Sequence, residues 1–287
     1  MMPGRPDAVS PPADTSDETS LMRLRAASTA GSRRTFQHLF DLATVLLGRE
    51  IKVQYKTTAL GVLWGFATPL LQLLVYSFLF RRVIPLDIPD YNLFLFAGLL
   101  AWSWFHGSLD QAARSITEQG DLVRQPGFPV MVLPVVSVAV HLVNLLLALP
   151  LFLAFAIFAG RSPSMTVLLL PGLLALQFLL ILGPAYLVGA CNVRFRDTAR
   201  IAQVLLQLLL FLTPVFYTTS SVPERWRFMY RLNPMATLVD AYRDVLLFGR
   251  APDWSSLALV FALSCVVLWV GYTTFERMKN GFVEEIV

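Results

Sequence analysis

Residues Ser162–Val193 read SPSMTVLLLPGLLALQFLLILGPAYLVGACNV and contain no Asp, Glu, Lys or Arg. A helix rises 1.5 Å per residue, so about 20 apolar residues cross the roughly 30 Å of hydrocarbon in a bilayer. Inside lipid only a helix or a closed barrel satisfies its own backbone, and continuous apolarity without alternation argues against a barrel. The stretch therefore predicts a membrane-spanning helix.

Five further stretches have the same character. They are Thr57–Phe80, Tyr91–Leu109, Gln125–Gly160, Ile201–Val222 and Trp254–Phe275. Hydrophobic residues make up 56% of the 287 residues, charged residues 15%, and the mean hydropathy is +0.61. Soluble domains carry nearer to roughly a quarter of charged residues. The sequence predicts an all-α integral membrane protein, with six transmembrane helices in residues 57–287 and no separate soluble catalytic domain.

The residues before the first span divide into two parts. Residues 1–32 are rich in Pro, Ser, Thr and Asp and lack the apolar core of a signal peptide, so we expect a mobile cytosolic tail. Residues 33–56 predict an amphipathic interface helix, which either lies on the membrane surface or packs on the protein's own cytosolic face. The apolar positions at helical spacing are Phe36, Phe40, Ala43, Leu47 and Ile51.

The positive charges predict the orientation. If the N-terminus is inside, ten Lys and Arg residues lie at the inner ends of the spans and three lie in short outer loops. The longer connection between spans five and six adds five arginines outside, although longer segments obey the charge rule less strictly. We therefore expect both termini to be cytoplasmic.

Two connections differ from simple loops. Residues 114–128 have mixed charge, a central glycine and a Pro-Gly end, which is compatible with a short cytosolic helix or with a solvated connection. Residues 221–249 predict two short outer helices that are too short to cross a bilayer. Asn233 reads as the N-cap of the second helix, Pro234 as its first residue and Gly249 as its stop.

The side-chain pattern of the outer segment makes two further predictions. Ser221 and Glu224 have the spacing of a capping box, so the first helix is expected to open at Ser221. In the second helix an apolar face runs from Met235 to Leu246, and Arg243 lies largely off that face. These helices either gate a pathway or cap the bundle.

Groups for catalysis or ion coupling are scarce in this sequence. No acid lies in the middle of a predicted span, and we expect His141, the one histidine well inside a span, to be packed and not a proton relay. Asp87 and Asp90, the close carboxylate pair before span two, read as part of a turn. An ion-coupled carrier and a membrane-embedded enzyme are therefore disfavoured, and no metal site is predicted.

Binding sites for nucleotides and nucleic acids are also not expected. The lysines are Lys52, Lys56 and Lys279, and none follows a glycine, so a Gly-Lys phosphate loop is excluded. The net charge of +4 reflects basic residues at membrane edges, which set topology, and does not indicate nucleic-acid binding.

Several short motifs follow one another around the predicted spans. They are REIKVQYK at Arg49–Lys56 followed by LGVLWG at Leu60–Gly65 and Pro69, NVRFRD at Asn192–Asp197, LTPVFY at Leu212–Tyr217, LNP at Leu232–Pro234, DAYRD at Asp240–Asp244, and Phe248-Gly249. Together they resemble the membrane subunit of type-2 ABC exporters for O-antigen, capsule and teichoic-acid polymers. The resemblance covers about residues 36–275.

The resemblance implies a function that needs partners. Two copies of this chain would form a channel, and two copies of a separate ABC ATPase would dock beneath it and hold the ATP and Mg. The chain itself would be no enzyme. The cargo would be a lipid-linked polysaccharide, an O-antigen-like glycan on polyprenyl pyrophosphate, that crosses the bacterial inner membrane. The alternative is a type-2 ABC exporter of a drug or a small lipid.

The resemblance also assigns roles to residues by position. The ATPase-docking residues of the cytosolic coupling segment would be Glu118, Gln119, Asp121, Leu122 and Arg124. The residues near the cytosolic entrance for the lipid pyrophosphate would be Arg49, Lys52, Tyr55 and Lys56. The cytosolic loop below spans four and five would be held by Arg196 and Asp197. The outer gate would contain Asn233, Pro234, Tyr242 and Arg243.

Overall fold

The computed structural model describes residues 37–55, 63–83, 87–162 and 164–285. The expected cytosolic tail, Lys56 and the beginning of the first predicted span lie outside these residues. The chain divides into two compact units, residues 1–42 and 43–287. The first helix, α1 (37–55), begins in the first unit and ends in the second.

All regular secondary structure in the described residues is helical, so the predicted all-α class is confirmed. The longer helices after α1 are α2 (Leu63–Phe78), α3 (Tyr91–Glu118), α5 (Val132–Phe158), α6 (Leu170–Arg194), α7 (Thr198–Leu212) and α10 (Trp254–Met278). The shorter ones are α4 (Gly120–Val123), α8 (Glu224–Leu232), α9 (Pro234–Arg243) and α11 (Phe282–Glu285). Two π-helical turns, Leu79–Val83 and Asp244–Phe248, extend α2 and α9.

Three helical segments within the described residues are long and apolar enough to cross a bilayer. They are Val132–Phe158, Met165–Arg194 and Trp254–Gly281. The helix α7 is apolar too, but its 15 residues rise only about 22 Å. The membrane character predicted from the sequence is therefore clearest in α5, α6 and α10.

The fifth apolar stretch is helical over only part of its length. The prediction ran to Val222, whereas α7 ends at Leu212 and Thr213 has an extended backbone. Thr213 precedes Pro214, and a residue before proline is pushed out of the helical region. The remaining residues form an irregular segment, 213–218, followed by a 3-10 turn at Thr219–Ser221, and Thr213 accepts a hydrogen bond from Asn233 next to α9.

The helix α3 lies at the centre of the packing. It contacts α5 and α6, and α6 in turn packs along α10. Phe96 of α3 meets Phe152 of α5 edge to face, with ring centroids 5.5 Å apart. Apolar residues surround α3 on most sides, as expected of a helix that is buried by its neighbours.

The helices α6 and α10 cross at two glycines. A Cβ atom on Gly271 would lie 2.2 Å from the backbone oxygen of Gly183, so the two backbones are in direct contact. Small residues permit this close approach between membrane helices. The crossing joins two of the three helices that are apolar enough to span a bilayer.

The second half of α1 packs on the protein itself. Within the unit that starts at residue 43, Leu46 and Tyr55 are buried, and Leu47 and Ile51 are half-buried. Packing of this face is compatible with both interpretations of the amphipathic helix, so its place on the membrane surface stays a prediction.

Candidate functional site

A cavity of about 650 Å³ lies among α2, α3, α5, α7 and the last residues of α1. We name it the amide cavity. Its polar lining residues are Gln54, Tyr55, Gln72, Tyr76, Ser103, His106, Asp110, His141, Asn144, Gln203 and Gln207. Polar groups are costly in hydrocarbon unless they are paired or reached by water. Such a set within otherwise apolar helices therefore indicates a hydrated site.

Helical spacing brings these side chains to the cavity. In α3, Ser103, His106 and Asp110 are three and four residues apart and share one face. In α7, Gln203 and Gln207 are four residues apart and do the same. These residues occupy the middle parts of α3 and α7, so the cavity lies away from the ends of these two helices.

Two hydrogen bonds across the amide cavity tie helices together. The hydroxyl of Tyr55 donates to Asn144 Oδ1 at 2.7 Å and joins α1 to α5. The Nε2 of Gln203 donates to Asp110 Oδ1 at 2.7 Å and joins α7 to α3. Arg114, one turn further along α3, pairs with Asp110 Oδ2. Both oxygens of the one carboxylate in the lining are thus engaged.

Other polar groups of the amide cavity remain open. The side-chain amides of Gln54, Gln72 and Gln207 and the hydroxyl of Tyr76 make no hydrogen bond to another described residue. An amide carries both donors and acceptors, as a sugar hydroxyl does. The cavity can therefore hydrogen-bond a hydroxyl-rich solute without first breaking its own contacts at these positions.

His141 is packed, as the sequence predicted. A Cβ atom on Gly107 would lie 2.5 Å from the imidazole ring, so the ring rests on the glycine backbone of α3. The structure adds that Asp110, an acid from another helix, lines the same cavity. The acid was not recognised as a neighbour because it lies one residue beyond the second apolar stretch.

Sequence reasoning missed the amide cavity because it followed charges. Gln72, Asn144, Gln203 and Gln207 stand inside stretches that were treated as uniformly apolar. The signal was nevertheless present, since amides recur at helical spacing within these stretches. What the sequence lacks is the information that these faces converge.

A second polar cluster surrounds Arg243 at the end of α9. Its side chain is only 1% exposed, whereas the sequence analysis expected it largely off the buried face. The guanidinium donates from Nη1 to the Pro214 oxygen and from Nη2 to the Val215 oxygen, both at 2.7 Å. Nε donates to the Phe94 oxygen at 3.3 Å. We name this group the Arg243 cluster.

The Arg243 cluster replaces helical hydrogen bonds that the chain cannot make. The segment after α7 leaves the helical conformation, so its carbonyl groups have no partners four residues ahead. The planar fork of an arginine presents several donors at once. The guanidinium carbon also lies 3.4 Å from the ring centroid of Phe94, and Asp240 Oδ1 lies 3.3 Å from Nη1.

Two further features accommodate the buried charge of Arg243. A Cβ atom on Gly98 would lie 2.9 Å from Nη2, so glycine leaves the room that the guanidinium occupies. Burial lowers the pKa of Arg243 to about 10, while nearby Asp240 acts in the opposite direction. The side chain therefore remains charged at neutral pH.

The helix α9 and the π-helical turn that extends it begin and end as the sequence predicted. Asn233 caps α9 by accepting from the Met235 backbone nitrogen at 3.0 Å, and its Nδ2 donates to Thr213 Oγ1 at 2.9 Å. Pro234 is the first residue of α9, and Gly249 ends the π-helical turn with φ of +61°. Tyr242 is buried, and its hydroxyl has no partner among the described residues.

The predicted capping box is wrong. The helix α8 starts at Glu224 with Pro223 as its N-cap, and no side chain caps it. Ser221 lies in a short 3-10 turn, where its hydroxyl pairs with Thr218 at 2.8 Å. A proline at the cap position supplies no side-chain acceptor, and the N-cap lies at Pro223, two residues after the Ser221 that the local pattern predicted.

The expected ATPase-docking residues lie together at the end of α3 and around α4. Glu118 pairs with Arg114 at 3.5 Å, and Gln119 donates to Glu50 of α1 at 3.1 Å. The remaining three are Asp121 and Leu122 in α4 and Arg124 directly after it. Asp121 and Arg124 are exposed. Of the two interpretations of this connection, the short helix is the one observed.

The expected entrance residues are only partly brought together. Arg49 and Lys52 are exposed on α1, whereas Tyr55 is buried and points its hydroxyl at Asn144 in the amide cavity. Lys56 lies outside the described residues. Tyr55 is thus not on the exposed side of α1 with the two cations, and it lines the amide cavity instead.

The loop between α6 and α7, which the sequence analysis placed in the cytosol, is held by a residue that sequence reasoning did not select. Arg196 and Asp197 are both exposed in this loop. Asn192, at the end of α6, accepts from the Ala199 backbone nitrogen at 3.0 Å and so caps the first turn of α7. Its amide nitrogen also lies 3.5 Å from Thr117 of α3.

Comparison with known proteins identifies the family. The family model of the ABC-2 type transporter matches residues 42–247. The O-antigen export system permease protein RfbA of Myxococcus xanthus is 37% identical over 243 residues, which cover 84% of this chain and 94% of the relative. The protein of the same description from Klebsiella pneumoniae is 29% identical over 248 residues, 86% and 95% of the two chains.

A more distant relative has a different description. The polysialic acid transport protein KpsM of Escherichia coli is 22% identical over 245 residues, which cover 82% of this chain and 92% of the relative. The match to the family model runs from α1 through α9 and includes both the amide cavity and the Arg243 cluster. This chain belongs to the ABC-2 type transporter family of membrane permeases.

Proposed function

We propose that this chain is the channel-forming permease of an ATP-driven exporter, which moves a lipid-linked polysaccharide across the bacterial inner membrane. The amide cavity is the observation that carries the proposal. Its open amides suit sugar hydroxyls, and the aromatic rings of Tyr76 and Trp102 suit the apolar faces of sugar rings. The O-antigen export permeases among the relatives support a glycan cargo.

The proposed topology has six spans with both termini in the cytoplasm. The helices α2, α3 and α7 supply the three spans beyond α5, α6 and α10. The distribution of Lys and Arg supports this orientation. The π-helical turn Leu79–Val83 and the segment 213–218 would complete the two shorter spans at their outer ends.

The proposed energy source is a separate ABC ATPase in two copies, which holds the ATP and Mg. The family supports such a partner, and the sequence contains no Gly-Lys phosphate loop of its own. Glu118, Gln119, Asp121, Leu122 and Arg124 would be docking residues at the cytosolic end of the bundle. The buried Val123 anchors α4 beneath them.

The proposed channel lies between two copies of this chain. The helices α2 and α7 leave large apolar side chains exposed, among them Leu74, Phe78 and Leu208. Both helices also line the amide cavity. A second copy opposite these faces would cover apolar surface and enclose a continuous path for the cargo.

The two ends of the path would have different roles. Arg49, Lys52, Tyr55 and Lys56 would attract and admit the lipid pyrophosphate at the cytosolic end, since phosphates pair well with cations. Arg196 and Asp197 would help to hold the nearby loop. Asn233, Pro234, Tyr242 and Arg243 would form the outer gate.

Deletion of the gene in its host tests the proposal. Lipid-linked glycans would be separated into surface and intracellular pools, and the deletion complemented with the intact gene. We expect surface polymer to disappear and intracellular polymer to accumulate, with both changes reversed by complementation. Unchanged surface glycan in a host without a second exporter would refute polysaccharide export and favour the exporter of a drug or small lipid.

A further inference from the structure

We infer that the amide cavity selects sugar residues without net charge, so that the polymer exported by this chain is a neutral glycan. The inference rests on the proposed function, because it concerns the cargo of the same site. It goes further by excluding a class of polymer: acidic glycans that carry carboxylate, phosphate or sulfate groups in their repeating unit.

The charges that line the amide cavity provide the first argument. Among the described lining residues, Asp110 is the only Asp or Glu, and none is Lys or Arg. The oxygens of Asp110 are held by Gln203 and Arg114, so the carboxylate already has partners within the protein. His106 and His141 also line the cavity, but a histidine is not a permanent cation as Lys and Arg are.

The cost of moving a charge provides the second argument. An ionised group that leaves water must find an opposite charge or several strong hydrogen bonds, because desolvation is otherwise expensive. A carboxylate on a sugar would find amide groups and one carboxylate in this cavity, but no cation among the described lining residues. An acidic repeating unit would meet that barrier at every step of its passage, whereas the pyrophosphate of the lipid would meet it once for each polymer.

Neutral sugars meet no such barrier. A hydroxyl group exchanges a hydrogen bond to water for one to an amide at little net cost. Gln72 of α2, the nitrogen of Asn144 in α5 and Gln207 of α7 offer such groups from three helices. The volume of about 650 Å³ lies within the range of roughly 300–1,000 Å³ that is usual for small-molecule sites.

The charge of the cargo can be measured directly. The polymer that accumulates inside the deletion strain would be released from its lipid by mild acid, passed over an anion-exchange column and analysed for sugars, phosphate and sulfate. We expect it to pass unretained and to contain no acidic component. A polymer with an acidic group in most repeating units would overturn the inference.

The outcomes for the two proposals are separate. If an acidic polymer accumulates, export of a polysaccharide stands and the neutral-cargo inference fails. If surface glycan is unchanged and no polymer accumulates, the proposed function is refuted, and the neutral-cargo inference falls with it. If the polymer is neutral, both proposals pass this test.

A variant of the cavity tests whether the amides handle the cargo. Gln207→Leu removes an open amide without breaking a described contact, so the protein should remain folded and abundant. We expect the amount of surface glycan to fall roughly fivefold, because that is the factor to which the net free energy of one hydrogen bond corresponds. Val266→Ala, at an exposed position of α10 outside the cavity, is the control and should export normally. Normal export by an abundant Gln207→Leu protein would contradict the role of the amides.

Discussion

The Arg243 cluster and the amide cavity are both polar regions in an apolar molecule, but they differ in how their polar groups are satisfied. Each nitrogen of the Arg243 guanidinium donates to a backbone oxygen within the protein, and the side chain is buried. In the amide cavity, Gln72 and Gln207 make no hydrogen bond to a described residue and line an open space.

This difference separates architecture from transport. A buried polar group whose partners all lie in the protein contributes to stability, and its removal leaves those partners unsatisfied. An open polar group contributes little to stability and is available to a solute. Substitutions in the two regions should therefore produce opposite patterns of effect on unfolding and on export.

The largest loss of stability is expected from Arg243→Ala. It leaves the carbonyl groups of Phe94, Pro214 and Val215 without donors and opens a void beside the Phe94 ring. We expect the free energy of unfolding to fall by about 3–5 kcal/mol, the cost of breaking a buried charged network. Thermal unfolding of the purified protein in detergent would measure it.

Arg250→Ala is the matched control for this substitution. The Arg250 side chain is 67% exposed and pairs with Asp244, so its loss should change stability by less than about 1 kcal/mol. If both arginine variants unfold at the temperature of the unmodified protein, the Arg243 cluster has no structural role and the comparison fails.

The next effect is expected at the crossing of α6 and α10. Gly271→Val places side-chain atoms where the Gly183 backbone lies, so the helices must separate. We expect a loss of about 1–3 kcal/mol, as for overpacked cores. Gly172→Ala is the control, since a Cβ atom there meets no atom within 4 Å. Equal melting temperatures for the two variants would show that the crossing tolerates separation.

A smaller loss is expected from Asn233→Ala. The side chain caps α9 and donates to Thr213, so we expect about 1–2 kcal/mol from the lost cap and hydrogen bond. Asn233→Asp keeps an oxygen for the cap but cannot donate to Thr213, and its cost should be intermediate. Chemical unfolding of the unmodified protein and the two variants would rank their stabilities. An Asp variant that is less stable than the Ala variant would contradict the capping role.

The smallest effect on stability is expected from Gln72→Leu. The amide has no described partner, so the free energy of unfolding should change by no more than about 0.5 kcal/mol, as for an ordinary surface substitution. Surface glycan should nevertheless decrease in a complemented deletion strain. Gln203→Leu makes the comparison sharper, because Gln203 also bonds Asp110 and should lose both stability and export. A Gln72→Leu protein that loses stability but not export would reverse our assignment.

Local signals in the sequence predicted part of both regions. Asn233, Pro234 and Gly249 mark the ends of the second outer helix because capping and turn preferences act over only a few residues. The same type of reasoning failed at Ser221, where the helix begins two residues later than the capping-box spacing predicts.

Local sequence patterns could not predict contacts between residues that are far apart in the chain. Arg243 and Phe94 are separated by 149 residues, and Tyr55 and Asn144 by 89. Hydrophobic periodicity placed Arg243 off the apolar face because an arginine scores as polar, whatever surrounds it. Its burial depends on carbonyl groups from another part of the chain.

The helical class, the apolar stretches and the family are readable from the amino-acid sequence alone, because backbone hydrogen bonding in lipid, helix length and short motifs are properties of neighbouring residues. Tertiary structure alone decided which polar side chains are satisfied and which stay open. Gln207 and Arg243 are both polar residues in helices that also carry apolar faces, yet one lines a cavity and the other is enclosed by carbonyl groups. The physical reason is that the free energy of a polar group depends on its partners, and only the packed helices bring those partners together.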